Sequence, residues 1–329
     1  MTENNKVLLA VTKLLKNRWF HIISGLGILV SILFYFRGVK GDFRDIVQLS
    51  NIFVGLIALP FVIYSLLAHA IAWRYIINHY GNKLGFWQSI YLYNFSNMSR
   101  YIPGNYWHFI YRSTIGVKFG IDVASGAKAT GIEILINTIV GFIFVICGIV
   151  LKLIHLDQRQ YYWLLFFLFI SILIFLVFYF LDNKVKSSKK RDLAEDQSLL
   201  TKLKKELSQI WTFSFKEIII LVSLFSSAWI SQGFTFFFVL SAWGGTPISN
   251  YIVIMFSYVT AWFLGFINPI AQNGLGVREA ILLITLNQLF PASIILGAGI
   301  GMRVVGILGE LFSILLGWLF GRGNKEKVN

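Results

Sequence analysis

The sequence predicts an all-α, polytopic integral membrane protein with about eight transmembrane helices and one or two re-entrant segments. Three observations predict this class. Apolar residues make up 57% of the 329 residues and charged residues only 13%, whereas a soluble domain carries about a quarter charged residues. The mean hydropathy is +0.70. Several apolar windows approach or exceed the roughly 20 residues that a helix needs to cross a bilayer.

The chain is predicted to form one transmembrane domain over residues 1–329. Its first half covers 1–182, a basic loop covers 183–209, and its second half covers 210–329. The segment 86–98 is aromatic, short and polar, which favours a re-entrant hairpin over a full crossing. Apolar segments predict spans at 19–36, 46–77, 129–153, 161–181, 218–243, 251–270, 280–289 and 292–320.

The formal net charge of +14 is distributed as a membrane topology requires. Basic residues fall in the tails and between apolar spans, and cytoplasmic loops carry the excess of Lys and Arg. This pattern places the basic loop and both termini in the cytoplasm, beside an anionic leaflet, and gives no reason to expect nucleic acid as a partner. The loop holds eight basic residues: Lys184, Lys186, Lys189, Lys190, Arg191, Lys202, Lys204 and Lys205.

Motifs for metals, cofactors and catalysis are not recognised in the sequence. The one cysteine, Cys147, lies in an apolar run, and the five histidines are scattered without ligand spacing. No Walker loop, dinucleotide fingerprint or nucleophile elbow is found. We therefore expect no cofactor, no metal and no enzymatic activity, and the N-terminus lacks the features of a removable signal peptide.

Two polar segments interrupt the apolar pattern, one in each half of the chain, at 99–108 and 265–280. Pro103 and Pro269 each remove a backbone donor, and Gly274 permits backbone angles that other residues resist. Non-helical backbone at membrane depth must be buried in protein or line a wet cavity. A polar loop at the membrane surface is the alternative. Paired broken segments point to a transporter's binding site, and an inverted repeat is one arrangement that this pattern allows.

The broken segments carry the predicted substrate-binding residues. Half-helix ends present unpaired N–H groups that suit a phosphate or carboxylate, and arginines can add bidentate contacts to the same anion. The predicted set is Arg100, Asn105, Arg112, Asn273, Arg278 and Glu279. The alternatives are that Arg100 and Arg112 extend to the cytoplasmic interface, and that Arg278 pairs with its neighbour or with Glu310.

Three further charged residues are predicted to act in coupling or in ion pairs. Glu133 either pairs with Lys128 or serves as a proton site. Arg303 and Glu310 are seven residues apart on one helix and therefore share a face; they either pair with Arg278 and Glu279 or line a path, because such charges avoid lipid. Glycines in the same helix favour close packing, with a hinge as the alternative.

At the two interrupted segments the sequence resembles the transmembrane (flippase) domain family of lysylphosphatidylglycerol synthase. The matching residues are Ser99-Arg100-Tyr101-Ile102-Pro103-Gly104 followed by Trp107, and Gly274-Leu-Gly276-Val-Arg278-Glu279-Ala280. The length, the number of spans and the central basic loop are also similar, so the resemblance covers nearly the whole chain. One departure is that Ala271-Gln272-Asn273 stand where the family often has Pro-Gly-Gly.

The resemblance implies movement of a phospholipid, or of a lipid-linked amino acid or sugar, between leaflets of a bacterial or archaeal cell membrane. The expected partner is an anionic membrane lipid or a lipid-linked substrate. We expect a stand-alone member without the soluble aminoacyl-transferase domain of the bifunctional proteins. The alternatives are an integral-membrane transferase, with Glu133, Glu279 or Glu310 as base, and a scaffold for envelope-biosynthesis enzymes.

Overall fold

The computed structural model describes residues 55–101, 107–154, 162, 212–267 and 272–321. This part of the chain contains eight α-helices and no strand, as the all-α prediction requires. The predicted spans at 19–36 and 161–181 (Tyr162 apart), the basic loop, both termini and Asn105 lie outside the described residues. The helices are α1 (Ala58–His79), α2 (Phe86–Asn97), α3 (Trp107–Ile115), α4 (Val123–Val150), α5 (Phe215–Gly244), α6 (Tyr251–Ile267), α7 (Val277–Leu286) and α8 (Ala292–Gly321).

Five of the described segments are long and apolar enough to cross a membrane, which confirms a polytopic membrane protein. They are Ala58–His79, Val123–Val150, Phe215–Gly244, Ile248–Ile267 and Ala292–Gly321. The segment predicted as a span at 280–289 differs, because the structure has α7 there with only ten residues. Such a helix is about 15 Å long and reaches across about half of the hydrocarbon core.

Local sequence accounts for the starts of the long helices. Ser214 and Glu217 form a reciprocal capping box at the start of α5: the Ser214 N–H donates to Glu217 Oε2 at 2.7 Å, and the Glu217 N–H donates to Ser214 Oγ at 3.4 Å. Asp122 caps α4 by accepting from the Ser125 N–H. Pro60 is tolerated in α1 because it lies in the first turn, where the N–H has no helical partner.

Helix α8 runs through the whole bundle and provides a scale of depth. Its first residues pack beside the last residues of α5, where Ile294 approaches Gly244; we call this side the Gly244 end. Its last residues pack beside the start of α2, where the rings of Trp87 and Phe320 are 4.8 Å apart; we call this side the Gly321 end. Thus α2 runs antiparallel to α8, and the two helices share an extensive interface.

The two broken segments meet near the middle of α8. Residues Met98–Tyr101 and Gln272–Gly274 form short 3-10 turns that contact each other. The first turn reaches Glu310 and the second leads into α7, which reaches Arg303. Both α8 residues lie about 17 Å from one end of the helix and about 27 Å from the other, at 1.5 Å per residue. The fold therefore collects both polar segments at one level inside the bundle.

Candidate functional site

Arg112 lies at the centre of a buried hydrogen-bond network formed by α2, α3 and α4. Its guanidinium forms an ion pair with Glu133, and only 1% of the Arg112 surface is exposed. Nη2 donates to Asn97 Oδ1 at 2.8 Å and Nε donates to Ser96 Oγ at 3.0 Å. The guanidinium carbon also lies 3.7 Å from the centroid of the Tyr93 ring. Arg112 therefore does not extend to an interface, and its charge is balanced within the protein.

Glu133 is held by two donors from other helices. Tyr93 donates its hydroxyl to Glu133 Oε1 at 2.5 Å, while Arg112 occupies Oε2. The sequence had suggested Lys128 as a local partner, but the structure pairs Glu133 with Arg112, 21 positions away. A buried charge is tolerated only when it is paired and hydrogen-bonded, and this carboxylate meets both conditions.

Arg100 and Glu310 join the first broken segment to α8. Arg100 Nη1 lies 3.3 Å from Glu310 Oε1, and the Tyr101 hydroxyl donates to Glu310 Oε2 at 3.1 Å. The Arg100 side chain remains 21% exposed, whereas that of Glu310 is 3% exposed. The Arg100 side chain therefore keeps some exposed surface, and it lines the interior cavity described below.

The second broken segment turns sharply because three of the four backbone positions from 273 to 276 adopt positive φ angles. Asn273, Gly274 and Gly276 have φ values of 48°, 69° and 80°. Asn is the residue that best tolerates this region after Gly. The turn also brings two backbones together: a Cβ at Gly265 would lie 3.1 Å from the Cα of Gly274. The glycines therefore serve both the backbone angle and the close approach to α6.

Glu279 fixes the start of α7 and also binds α8. One carboxylate oxygen, Oε2, accepts from the Gly276 N–H at 2.8 Å, and the other accepts from Arg303 Nη2 at 2.8 Å. The Arg303 side chain is 24% exposed and that of Glu279 is 7% exposed. The prediction that Arg303 lies on the bundle interior and can pair with Glu279 agrees with this contact.

Arg278 differs from the other arginines of this site because its charge has no carboxylate partner among the described residues. Its Nη2 donates to Asn273 Oδ1 at 3.2 Å, and its guanidinium carbon lies 5.2 Å from the Trp262 ring. Nε is buried without a hydrogen-bond partner. Among the described residues, no carboxylate oxygen lies within 4.0 Å of its nitrogens. Neither of the predicted alternative partners, Glu279 and Glu310, binds it.

Two adjoining chambers open between the broken segments, and Arg278 lies in the wall between them. We call the first the amide chamber, after Asn97, Asn137 and Gln232; its other lining residues include His69, Tyr93, His108, Arg112, Glu133, Trp229 and Phe266. We call the second the charged chamber, lined in part by Tyr101, Tyr258, Glu279, Arg303 and Glu310. Both are lined by Leu66, Arg100, Gln232, Trp262, Asn273 and Arg278.

The chambers carry a net positive charge. Among the described residues, four arginines line them, at 100, 112, 278 and 303, against three glutamates, at 133, 279 and 310. With His69 and His108 neutral, one positive charge remains, and the ion pairs assign it to Arg278. Each chamber leaves about 80 Å³ open to water, room for several water molecules. The arrangement can therefore accommodate a small anion or an anionic head group.

Eight of the nine residues proposed from the sequence lie together around these chambers; Asn105 is the one that falls outside the described residues. Their function in binding stays a prediction. The aromatic and amide residues that complete the walls were not predicted from the sequence; they are Tyr93, Asn97, Asn137, Trp229, Gln232, Tyr258 and Trp262. One signal was available: Asn137 follows Glu133 by four positions, so both face the same side of a helix.

Comparison with known proteins places the chain in one family. A family model described as the lysylphosphatidylglycerol synthase TM region matches residues 22–313. No curated protein and no solved structure matches the chain.

Proposed function

Because the chain belongs to the lysylphosphatidylglycerol synthase transmembrane-region family, a family of membrane proteins that act on lipids, we propose that it moves an anionic lipid between the two leaflets of a membrane. The lipid is a phospholipid or a lipid-linked amino acid or sugar. In this proposal the head group passes through the two chambers, while the acyl chains remain in the bilayer. Head-group desolvation is then the main barrier, and the chambers lower it by supplying polar partners.

The observation that supports this proposal is the uncompensated charge of Arg278. The other three arginines of the chambers are each paired with a glutamate, whereas Arg278 has donors to spare and lies in the wall between the chambers. A guanidinium binds a phosphate through two parallel hydrogen bonds. We therefore assign the lipid phosphate to Arg278, with Asn273 holding the side chain in place.

The carboxylates favour transport over a transferase reaction. A general base must lie within hydrogen-bond reach of the proton that it abstracts, and a carboxylate held in an ion pair is less available for that step. Each candidate base, Glu133, Glu279 and Glu310, instead accepts from an arginine and from a second donor. We accordingly propose that the chain is not itself an enzyme, and that any net direction comes from a gradient or from reactions that consume the lipid on the far side.

The proposal also includes a membrane topology. We place the protein in a bacterial or archaeal cell membrane with both termini in the cytoplasm, and α2 and α3 as a re-entrant hairpin from the cytoplasmic side. The lengths support this: α2 has 12 residues and α3 has 9, about 18 Å and 14 Å, against roughly 30 Å of hydrocarbon. The Gly321 end is then cytoplasmic.

Leaflet-resolved lipid movement in proteoliposomes tests the function. Fluorescent anionic lipid in the inner leaflet becomes accessible to a membrane-impermeant quencher only when the protein moves it. We expect wild type to accelerate this loss of protected signal. Arg278→Gln is expected to slow it about tenfold or more, because a charge-assisted contact contributes about 1.5–3 kcal/mol.

Arg74→Gln provides the matched control. Arg74 lies outside both chambers and donates to the Leu84 carbonyl at 2.8 Å, so its replacement also removes one positive charge from the chain. This variant should retain the wild-type rate. Equal rates for Arg278→Gln and wild type would refute the assignment of the phosphate to Arg278. A wild-type rate no higher than that of empty vesicles would refute lipid transport.

A further inference from the structure

The amide chamber is lined by polar side chains whose buried atoms lack a partner. In the described part of the chain these atoms include Asn97 Nδ2, His108 Nδ1, Asn137 Oδ1 and Trp229 Nε1, in addition to Arg278 Nε. The first four side chains belong to residues that are at most 8% exposed. A buried polar atom without a partner is destabilising by about 1–3 kcal/mol, and native proteins contain few of them. Their concentration around one chamber indicates a site built for polar ligand groups.

The unpartnered atoms include both donors and an acceptor. Asn97 directs its oxygen to Arg112, which can only donate, so the Asn97 amino group remains as a donor. The indole N–H of Trp229 can only donate, and Asn137 Oδ1 can only accept. The neutral ring of His69, which also lines the chamber, already donates its one N–H to the Ser65 carbonyl and has none left for Asn137. A hydroxyl group satisfies both kinds of partner, whereas a phosphate oxygen only accepts and an ammonium group only donates. The set therefore matches a group with several hydroxyls.

Aromatic rings line one side of the same chamber. Trp229 and Trp262 meet edge to face at 4.7 Å, and Phe266 stacks on Trp262 at 5.2 Å. Ring faces carry partial negative charge and attract the weakly positive C–H groups of a polyhydroxylated chain or sugar ring. Apolar walls with a few directed polar groups are the usual construction of a small-molecule site.

A cationic head group does not fit this chamber. Arg100, Arg112 and Arg278 line it, and the carboxylate on its wall, Glu133, is already paired with Arg112. Aromatic residues can also bind an ammonium group through their faces. Here, however, the ring of Trp262 already lies 5.2 Å from the guanidinium of Arg278, so a second cation would be repelled.

We propose that the amide chamber binds an uncharged, hydroxyl-rich head group, such as a glycerol or a sugar, attached to the phosphate held by Arg278. The proposal deepens the proposed function and rests on it for the location of the phosphate. It names the substrate class as a lipid phosphodiester with a neutral polyol head group. It predicts that a neutral polyol head group is preferred over an aminoacylated or choline-type one.

Binding of short-chain lipids to the detergent-solubilised protein tests the head-group class separately from transport. Isothermal titration compares three dihexanoyl lipids with the same chains: phosphatidylglycerol, with a hydroxylated head group; phosphatidylmethanol, with the same charge and no hydroxyl; and phosphatidylcholine, with a cationic head group. We expect the tightest Kd for phosphatidylglycerol, by about fivefold for each added hydrogen bond, and the weakest for phosphatidylcholine.

A double variant, Trp229→Phe with Asn137→Ala, removes one unpartnered donor and one unpartnered acceptor from the chamber. It should weaken binding of phosphatidylglycerol about fivefold for each bond lost and leave binding of phosphatidylmethanol unchanged. Thr260→Val is the control, because Thr260 Oγ1 is also buried without a partner but lies outside both chambers. That variant should change neither affinity.

The outcomes separate the two proposals. Any one of four results would overturn the head-group assignment. They are equal affinities for phosphatidylglycerol and phosphatidylmethanol, a preference for phosphatidylcholine, an equal loss of affinity for both anionic lipids in the double variant, and no binding of any lipid. Preferential binding of phosphatidylglycerol without lipid movement in proteoliposomes would refute transport and leave the head-group assignment standing. Lipid movement in proteoliposomes without a head-group preference in either assay would refute the head-group assignment and leave transport standing.

Discussion

Arg112 and Arg278 illustrate two opposite environments for the same side chain. Arg112 has its charge balanced by Glu133 and donates to Ser96 and Asn97. Within the described part of the chain, Arg278 makes one hydrogen bond, to Asn273, and its buried Nε has no partner. The first environment stabilises the fold, and the second leaves binding capacity unused. The two residues should therefore differ in how their replacement affects stability and transport.

Breaking the Arg112–Glu133 pair should destabilise the protein. Arg112→Gln leaves the Glu133 carboxylate buried without its charge partner, and such a loss costs about 3–5 kcal/mol. The double variant Arg112→Gln with Glu133→Gln should cost less than the sum of the two single changes, because no charge is left alone. The free energy of unfolding, measured by denaturant titration in detergent, checks both expectations.

Arg278→Gln is the matched comparison for stability, since it removes a charge from the same level of the bundle. Its free energy of unfolding should be equal to that of wild type or higher, because no carboxylate loses its partner. Two results would contradict this comparison of Arg112 with Arg278. One is strict additivity of the stability losses from the Arg112 and Glu133 changes, and the other is a larger loss of stability for Arg278→Gln than for Arg112→Gln.

Close packing of α2 on α8 positions the first broken segment. At Gly317 a Cβ would lie 2.6 Å from the backbone nitrogen of Tyr91, so the two helices are in contact without an intervening side chain. This approach brings Arg100 to Glu310, which lies about two turns before Gly317 in α8. Glycines in α8 were predicted to serve either close packing or a hinge. Gly297 and Gly309 also serve packing, because Trp243 and Val62 fill the space beside them.

Gly317→Ala should separate α2 from α8 and destabilise the protein by about 1–3 kcal/mol, the usual range for overpacking. The cost arises because the clashing atom belongs to the backbone and cannot rotate away. Gly306→Ala, on the same helix, is the control: a Cβ there meets no heavy atom within 4 Å, and Ala favours a helix over Gly.

Thermal unfolding in detergent compares the two glycine variants. We expect a lower midpoint for Gly317→Ala and an equal or higher midpoint for Gly306→Ala. Equal midpoints for both variants would show that the interface tolerates the extra methyl group and that close packing does not hold the segment.

At the scale of the whole molecule, the membrane topology depends on whether α2 and α3 return to the side from which they start. Lys83 precedes α2 and Lys118 follows α3, and both are exposed. Lys152 follows α4 and is also exposed. A re-entrant hairpin places the first two positions on one side of the membrane and Lys152 on the other.

Single cysteines in a Cys147→Ser background test this arrangement. In right-side-out vesicles of cells that make the protein, a membrane-impermeant maleimide should label Lys152→Cys and not Lys83→Cys or Lys118→Cys. Inside-out vesicles should reverse the pattern. Labelling of Lys83→Cys and Lys118→Cys from opposite sides would mean that α2 and α3 cross the bilayer together.

Much of the architecture could be predicted because the signals are local. Apolar length predicted α1, α4, α5, α6 and α8 to within six residues where they are described, because hydropathy depends on neighbouring residues alone. Proline and glycine marked both interruptions for the same reason. The short α7 was taken as a span, since its apolar run does not reveal that the preceding turn lies deep inside the bundle.

Local chemistry in the chain was therefore sufficient to predict a helical membrane protein, two broken segments and the charged residues that they collect. The ion pairs required the fold. Arg112 meets Glu133 across 21 positions and Arg303 meets Glu279 across 24, while Arg100 reaches Glu310 in the opposite half of the chain. Partners on different helices are set by packing, which is non-local, so the arginine left without a carboxylate could be identified only from the assembled bundle.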